Sequence, residues 1–218
     1  SRIAFSTELN YAYDISLKRL SKRSKELNFW SNLLRTYFHP SADAARLIKD
    51  LMPEIDMRNT LGVSYRYGYV LMEPSGHPIQ PSLLELEGII EEVLRKNNFT
   101  YIFLSTDDAK VVRHFKRIYP SMILHIDRML VDSDHQTDLS EDVEIDNYKN
   151  DRTWRGKAVQ FNPLDTQDMA RFNRPNDKYL KGIEYMAEVE SLSKCGGLIG
   201  SESNGILYAY LKGYGNMR

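Results

Sequence analysis

Residues 101–108 read Tyr-Ile-Phe-Leu-Ser-Thr-Asp-Asp, and the reading of this stretch decides the fold. Residues 101–104 form an unbroken apolar run, without the alternation of a strand that has one wet face. A strand of that kind is covered on both faces, as in a parallel sheet between two layers of helices. Thr106 is predicted to cap the next helix, with Asp107 and Asp108 in its first turn, where the helix dipole favours acids.

Working outward, Ser82-Leu83-Leu84-Glu85 has capping-box spacing. It predicts a helix to about Lys96 with Leu83, Leu86, Ile90, Val93 and Leu94 inward, ended by Asn97-Asn98. Before it, residues 60–66 (TLGVSYR) read as a buried strand. Residues 67–81, with Gly68, Pro74, Gly76, Pro78 and Pro81, read as a loop. After it, the helix capped by Thr106 ends near Tyr119-Pro120, and residues 122–126 read as a third strand. Residues 132–157 are polar and read as a long surface segment. Residues 179–194 form an amphipathic helix ended by Gly196-Gly197. Leu198-Ile199 is then a short strand, residues 200–205 a turn, and residues 206–212 a last helix. Strand and helix alternate from residue 60 onward. The expected fold class is therefore α/β, a three-layer Rossmann-like parallel sheet.

The N-terminal quarter differs. Leu17, Leu20, Leu27, Trp30, Leu33, Leu34 and Tyr37 recur at helical spacing within residues 7–37. Lys18, Arg19, Lys22, Arg23 and Lys25 fall between them and read as a solvated basic face. His39-Pro40 breaks this helix, and Ser41 is placed to cap a second one through about Met52. The expected organisation is a helical extension over 1–57 and a Rossmann-like domain over 58–218.

The chain has 218 residues, 42% hydrophobic and 27% charged, enough to bury a sizeable core without metals or disulfides. A net charge of −1 supplies no bulk attraction to nucleic acid, and no nucleic-acid partner is expected. Cys195 is the only cysteine, which excludes an internal disulfide and points to a reducing, cytoplasmic setting. No apolar run approaches the length of a membrane span.

In an open parallel sheet, ligands bind outside the carboxyl ends of the strands. Three such ends carry suggestive residues. Arg66 follows the first strand, and a guanidinium there suits a diphosphate bound bidentately. Ser105, Thr106, Asp107 and Asp108 follow the second, where a carboxylate can accept the N1–H and exocyclic amine of guanine. Ser201, Ser203, Asn204 and Gly205 open the last helix, whose N–H groups and dipole make a phosphate cradle. Each has a plainer alternative: Arg66 paired with a carboxylate at the core's edge, Thr106 and Asp107 as caps, the Ser/Gly segment as a turn. Their convergence on one edge favours the ligand reading. A calcium loop at Asp132-Ser133-Asp134 is rejected, because Thr137 replaces the required Gly and Val143 the bidentate Glu. A phosphoacceptor receiver domain would need an N-terminal strand ending in acidic residues, and the chain opens on helices instead.

These stretches resemble the motifs of the α1,6-fucosyltransferase superfamily, which includes core and nodulation fucosyltransferases. GVSYR (62–66) resembles its first motif, and YIFLSTDDAKVVRHFKRIYP (101–120) its second. GIEYMAEVESLSKCGGLIGSESNGILYAYL (182–211) resembles the third. Glu73, four residues before His77-Pro78-Ile79, matches the placing of a family glutamate. The resemblance covers residues 58–125 and 179–212 and implies the donor-binding half of a GT-B glycosyltransferase. It implies transfer of fucose from GDP-fucose, or another nucleotide sugar, to a glycan acceptor with inversion and without a metal cofactor. Arg66 would hold the β-phosphate, and Asp107 or Asp108 the guanine or ribose. Ser203, Asn204 and Gly205 would complete the cradle, and Glu73 would be the general base. A bacterial polysaccharide enzyme of this type would work in the cytoplasm, with peripheral membrane association at the inner face. The chain departs from the pattern after Arg66, where Tyr67-Gly68-Tyr69 replaces the usual x-Thr-Asp. Residues 1–57 are also too short for an acceptor half. Both departures favour the alternative of a degenerate or incomplete transferase domain that only binds a nucleotide or glycan.

Overall fold

The computed structural model describes residues 24–66, 81–130, 174–201 and 203–215. Among the described residues two helices come first, α1 (Ser24–Tyr37) and α2 (Ala42–Leu51), followed by a 3-10 turn (Met57–Asn59). The sheet region then runs β1 (Thr60–Ser64), α3 (Leu83–Lys96), β2 (Tyr101–Ser105), α4 (Ala109–Ile118) and β3 (Ile123–Leu124). It continues with α5 (Asp177–Lys194), β4 (Gly197–Gly200) and α6 (Asn204–Gly213). The four described strands form one parallel sheet in the order β3-β2-β1-β4. Helices cover both faces, so the protein is an α/β, Rossmann-like three-layer fold.

The strands show why both faces are dry. Leu61, Val63, Ile102, Leu104 and Ile199 point to one side, where they pack with Leu86 and Ile90 of α3 and Val111 and Phe115 of α4. Phe103 and Leu198 point to the other, against Ile183, Ala187 and Leu192 of α5 and Ile206 and Ala209 of α6. Gly62 faces the second side. A Cβ there would lie 2.7 Å from Leu198 and 2.9 Å from Leu192, so its hydrogen lets α5 sit close to the sheet. Leu27 of α1, Ile48 of α2 and Met57 belong to the same cluster, so the helices ahead of residue 58 pack into this core.

Most caps lie where the sequence puts them. Ser41 accepts from the Ala44 amide, and Ser82 and Glu85 form the full capping box. Four expectations need correction. Trp30 and Tyr37 are exposed, while Ser31 is buried beside Leu27, because α1 packs on one narrow stripe against α6. The third strand is only Ile123–Leu124, two residues that among the described residues pair with β2 alone. The α4 cap is Asp108, not Thr106: its carboxylate takes the Lys110 amide at 2.8 Å, so neither acid lies in the first turn. Finally, the Gly196-Gly197 pair does not end α5 by a left-handed cap, since Cys195 is extended and neither glycine has positive φ. These glycines serve close approach instead, for a Cβ on Gly196 would meet the Arg58 carbonyl oxygen at 2.1 Å.

The start of α5 is held by buried charge. Arg174 donates to Asp177 at 2.7 Å and, through both terminal nitrogens, to Glu184 at 2.6 and 2.8 Å. At the far end of α6, Arg35 donates to the Lys212 and Tyr214 carbonyls, meeting acceptors that a helix terminus leaves open. Among the described residues no helix is long and apolar enough to cross a membrane.

Candidate functional site

The chain runs outward from β1 through β2 to β3, then returns to add β4 on the other side of β1. Among the described strands the order therefore reverses between β1 and β4, and the carboxyl ends at such a reversal are the usual ligand position in sheets of this kind. Ser64 pairs with Gly200 at this edge, and β2 ends beside them at Ser105. All three predicted strand ends thus share one rim.

Arg66 stands at the β1 tip, partly exposed, and among the described residues it has no hydrogen-bonded or ion-paired partner. Its charge acts on Tyr185 and Glu188 of α5. Across the rim, Ser203 caps α6 and accepts the Ile206 amide at 3.3 Å. That leaves Asn204 and Gly205 in the first turn, where helical amides lack intrahelical acceptors. Gly205 lies beneath Tyr185, and a Cβ on it would stand 2.4 Å from the tyrosine hydroxyl. Arg66, Tyr185 and the opening turn of α6 are consequently linked in one neighbourhood, with Ser201 between β4 and the cap.

At the β2 tip the predicted residues have different fates. Asp108 is buried and spends its carboxylate on the α4 cap. The Thr106 hydroxyl accepts the Asp108 amide at 3.3 Å, and the residue is likewise buried. Both residues thus hold the start of α4, the capping role that the sequence also allowed for this segment. Asp107 remains, with one carboxylate oxygen buried and unpartnered. Glu73 and the neighbouring His77-Pro78-Ile79 lie outside the described residues, as does Asp132-Ser133-Asp134.

Two residues that the motifs do not flag complete the rim. Glu188 of α5 is 4% exposed and hydrogen-bonds with the Ser105 side chain. Arg128, in the segment after β3, reaches the Glu188 carboxylate at 3.3 Å and donates to the Thr106 carbonyl at 3.2 Å. Burial pushes the Glu188 carboxyl up to about 7, against the pull of Arg128 and with the help of nearby Asp107. Burial likewise raises the Tyr185 phenol. A sequence signal for Glu188 does exist: Glu184 and Glu188 sit one turn apart on the stripe that carries Ile183, Ala187 and Leu192. Acids on an inward stripe need partners, and here these are Arg174 and Arg128.

The rim thus alternates in sign, with Arg66 and Arg128 beside Glu188 and Asp107. Cations and helix amides can hold an anion, and carboxylates can accept from N–H donors. Among the described residues no group of three or more His, Cys, Asp or Glu is placed to hold a metal. Together these features define an α/β protein with a charged rim at the switch point of a parallel sheet. No protein-family model matches the chain, and no curated protein matches it.

Proposed function

We propose that the rim binds a nucleotide sugar and that this chain is the donor-binding half of an inverting GT-B glycosyltransferase of the α1,6-fucosyltransferase type. GDP-fucose is the proposed donor and a glycan hydroxyl the acceptor. The observation that carries the reading is Arg66. It stands without a partner among the described residues, at the strand-order reversal and beside the first turn of α6. A guanidinium there would take the β-phosphate, with the Asn204 and Gly205 amides as further donors. Asp107, Asp108 and Glu188 are the rim carboxylates that would accept from guanine, one Asp108 oxygen also holding the α4 cap.

In this reaction the acceptor oxygen attacks the anomeric carbon from the face opposite GDP. The new C–O bond forms as the bond to the β-phosphate oxygen breaks, and the acceptor's proton passes to Glu73 as general base. Negative charge grows on the leaving diphosphate, where Arg66 and the α6 amides would stabilise it. Tyr67-Gly68-Tyr69 in place of x-Thr-Asp favours a second reading, a binding module without turnover. GDP-fucose hydrolysis by the purified chain and by Glu73→Gln separates the two. Turnover that falls in the variant supports the transferase, whereas GDP binding without turnover in either protein supports the module.

A further inference from the structure

Arg128 and Glu188 join three elements at the β2 tip. Arg128 comes from the segment after β3, Thr106 from the end of β2, and Glu188 from α5. The guanidinium reaches both partners, at 3.2 and 3.3 Å, and the two charged side chains are 11% and 6% exposed. The brace is incomplete: Arg128 Nε is buried with no hydrogen-bond partner, and so is Asp107 Oδ1. As a stabilising device this is poor, since a buried ion pair with unmet groups is often no better than an apolar replacement. Its location suggests another use, because it lies along the rim that also carries Arg66 and Tyr185.

We infer that Arg128 is a positioning residue of the nucleotide site: it ties the β2 tip to α5 and holds Glu188 as a charged acceptor for N–H donors of the base. The inference rests on the donor-site reading above. The groups that act on Glu188 are Arg66 from β1, Ser105 and Asp107 from β2, Arg128 from beyond β3, and Tyr185 from α5 itself. Burial favours the neutral carboxyl, and Arg128 is the foremost opposing influence. A protonated carboxyl cannot accept from two donors with both oxygens equally. Removing Arg128 should therefore weaken base recognition by leaving Glu188 protonated at neutral pH, where pH can restore it.

The test is GDP binding by calorimetry from pH 6 to pH 8.5, using the full chain and its variants Arg128→Met, Arg128→Lys and Glu188→Gln, with folding checked by circular dichroism. Glu188→Gln supplies the baseline for titration of GDP itself. Relative to that baseline, wild-type affinity should rise through the region of pH 7. In Arg128→Met the rise should move up by about one pH unit, a loss of about fivefold at pH 7 that narrows toward pH 8.5. Arg128→Lys, which keeps a charge but not the fork, should shift the same way by less. A loss of equal factor at every pH, or unchanged binding at pH 7, would overturn the inference while leaving the donor site standing. If Arg128→Met does not fold, Arg128→Lys decides, and an unshifted rise in it overturns the inference. Wild type that binds no GDP at any pH removes the donor reading and this inference together.

Discussion

Replacing Glu188 by Gln should make the protein more stable in mild alkali while changing little in mild acid. The reason is the folded-state titration of this carboxyl, raised from an ordinary 4.5 to about 7 by burial. A carboxyl raised in the folded state favours folding below its unfolded pKa, and that contribution is lost as pH climbs through the folded value. Below pH 4.5 both states hold the proton. Between there and about pH 7 the unfolded chain gives it up and the folded chain keeps it. Above pH 7 the folded protein must carry a buried charge for which Arg128, at 3.3 Å, compensates only in part. At about 1.36 kcal/mol per unit, the gap corresponds to roughly 2–3 kcal/mol accumulated between roughly pH 5 and pH 8. Glutamine has nearly the shape of the protonated acid and does not titrate. The difference in unfolding free energy between variant and wild type should therefore move by about that amount in the variant's favour, other titrations cancelling. Urea unfolding at pH 5, 6, 7 and 8, with equal slopes for the two proteins, reads it directly. A difference that stays flat with pH, or moves in the wild type's favour, would refute the buried and largely uncompensated state of Glu188.

Other predictions follow from packing and caps. Gly196→Ala puts a methyl 2.1 Å from the Arg58 backbone oxygen, which cannot swing aside, and should cost about 1–3 kcal/mol by urea unfolding. Gly205→Ala meets the hydroxyl of the exposed Tyr185 at 2.4 Å and Val189 at 3.2 Å, so Tyr185 must shift: stability should fall by about 1 kcal/mol and GDP affinity should fall in calorimetry. Ser82→Ala removes the hydroxyl half of the α3 capping box, leaving the residue-82 amide on the Glu85 carboxylate, and should lose about 1 kcal/mol of stability, with no effect on nucleotide binding.

The fold was readable because its signals are local. The unbroken YIFL run, the Ser82–Glu85 box and the strand-helix alternation each report a dry sheet or a helix start within a few residues. The rim was only partly readable. Arg66 and Ser203 announce themselves at element ends, but the roles of Thr106 and Asp108 depend on which of them reaches a helix amide. That choice is made by backbone angles at Asp108, which composition does not report. Arg128 and Glu188 escaped because their meaning is their meeting, between a segment after β3 and the middle of α5. The glycines at 196 and 197 look like a helix stop in one dimension. In three dimensions they are the space occupied by Arg58 and Phe99.

The proposed nucleotide site lies at the carboxyl ends of β1 and β4. Thermal unfolding of the purified chain with GDP, GDP-fucose, GDP-mannose, UDP-glucose or buffer, alongside Arg66→Ala, tests it most directly. A ligand at one hundred times its dissociation constant adds about 2.7 kcal/mol, enough for a clear rise in midpoint. The account predicts a rise with the guanine nucleotides alone, abolished in Arg66→Ala. No rise with any nucleotide, or one that Arg66→Ala leaves intact, would contradict it.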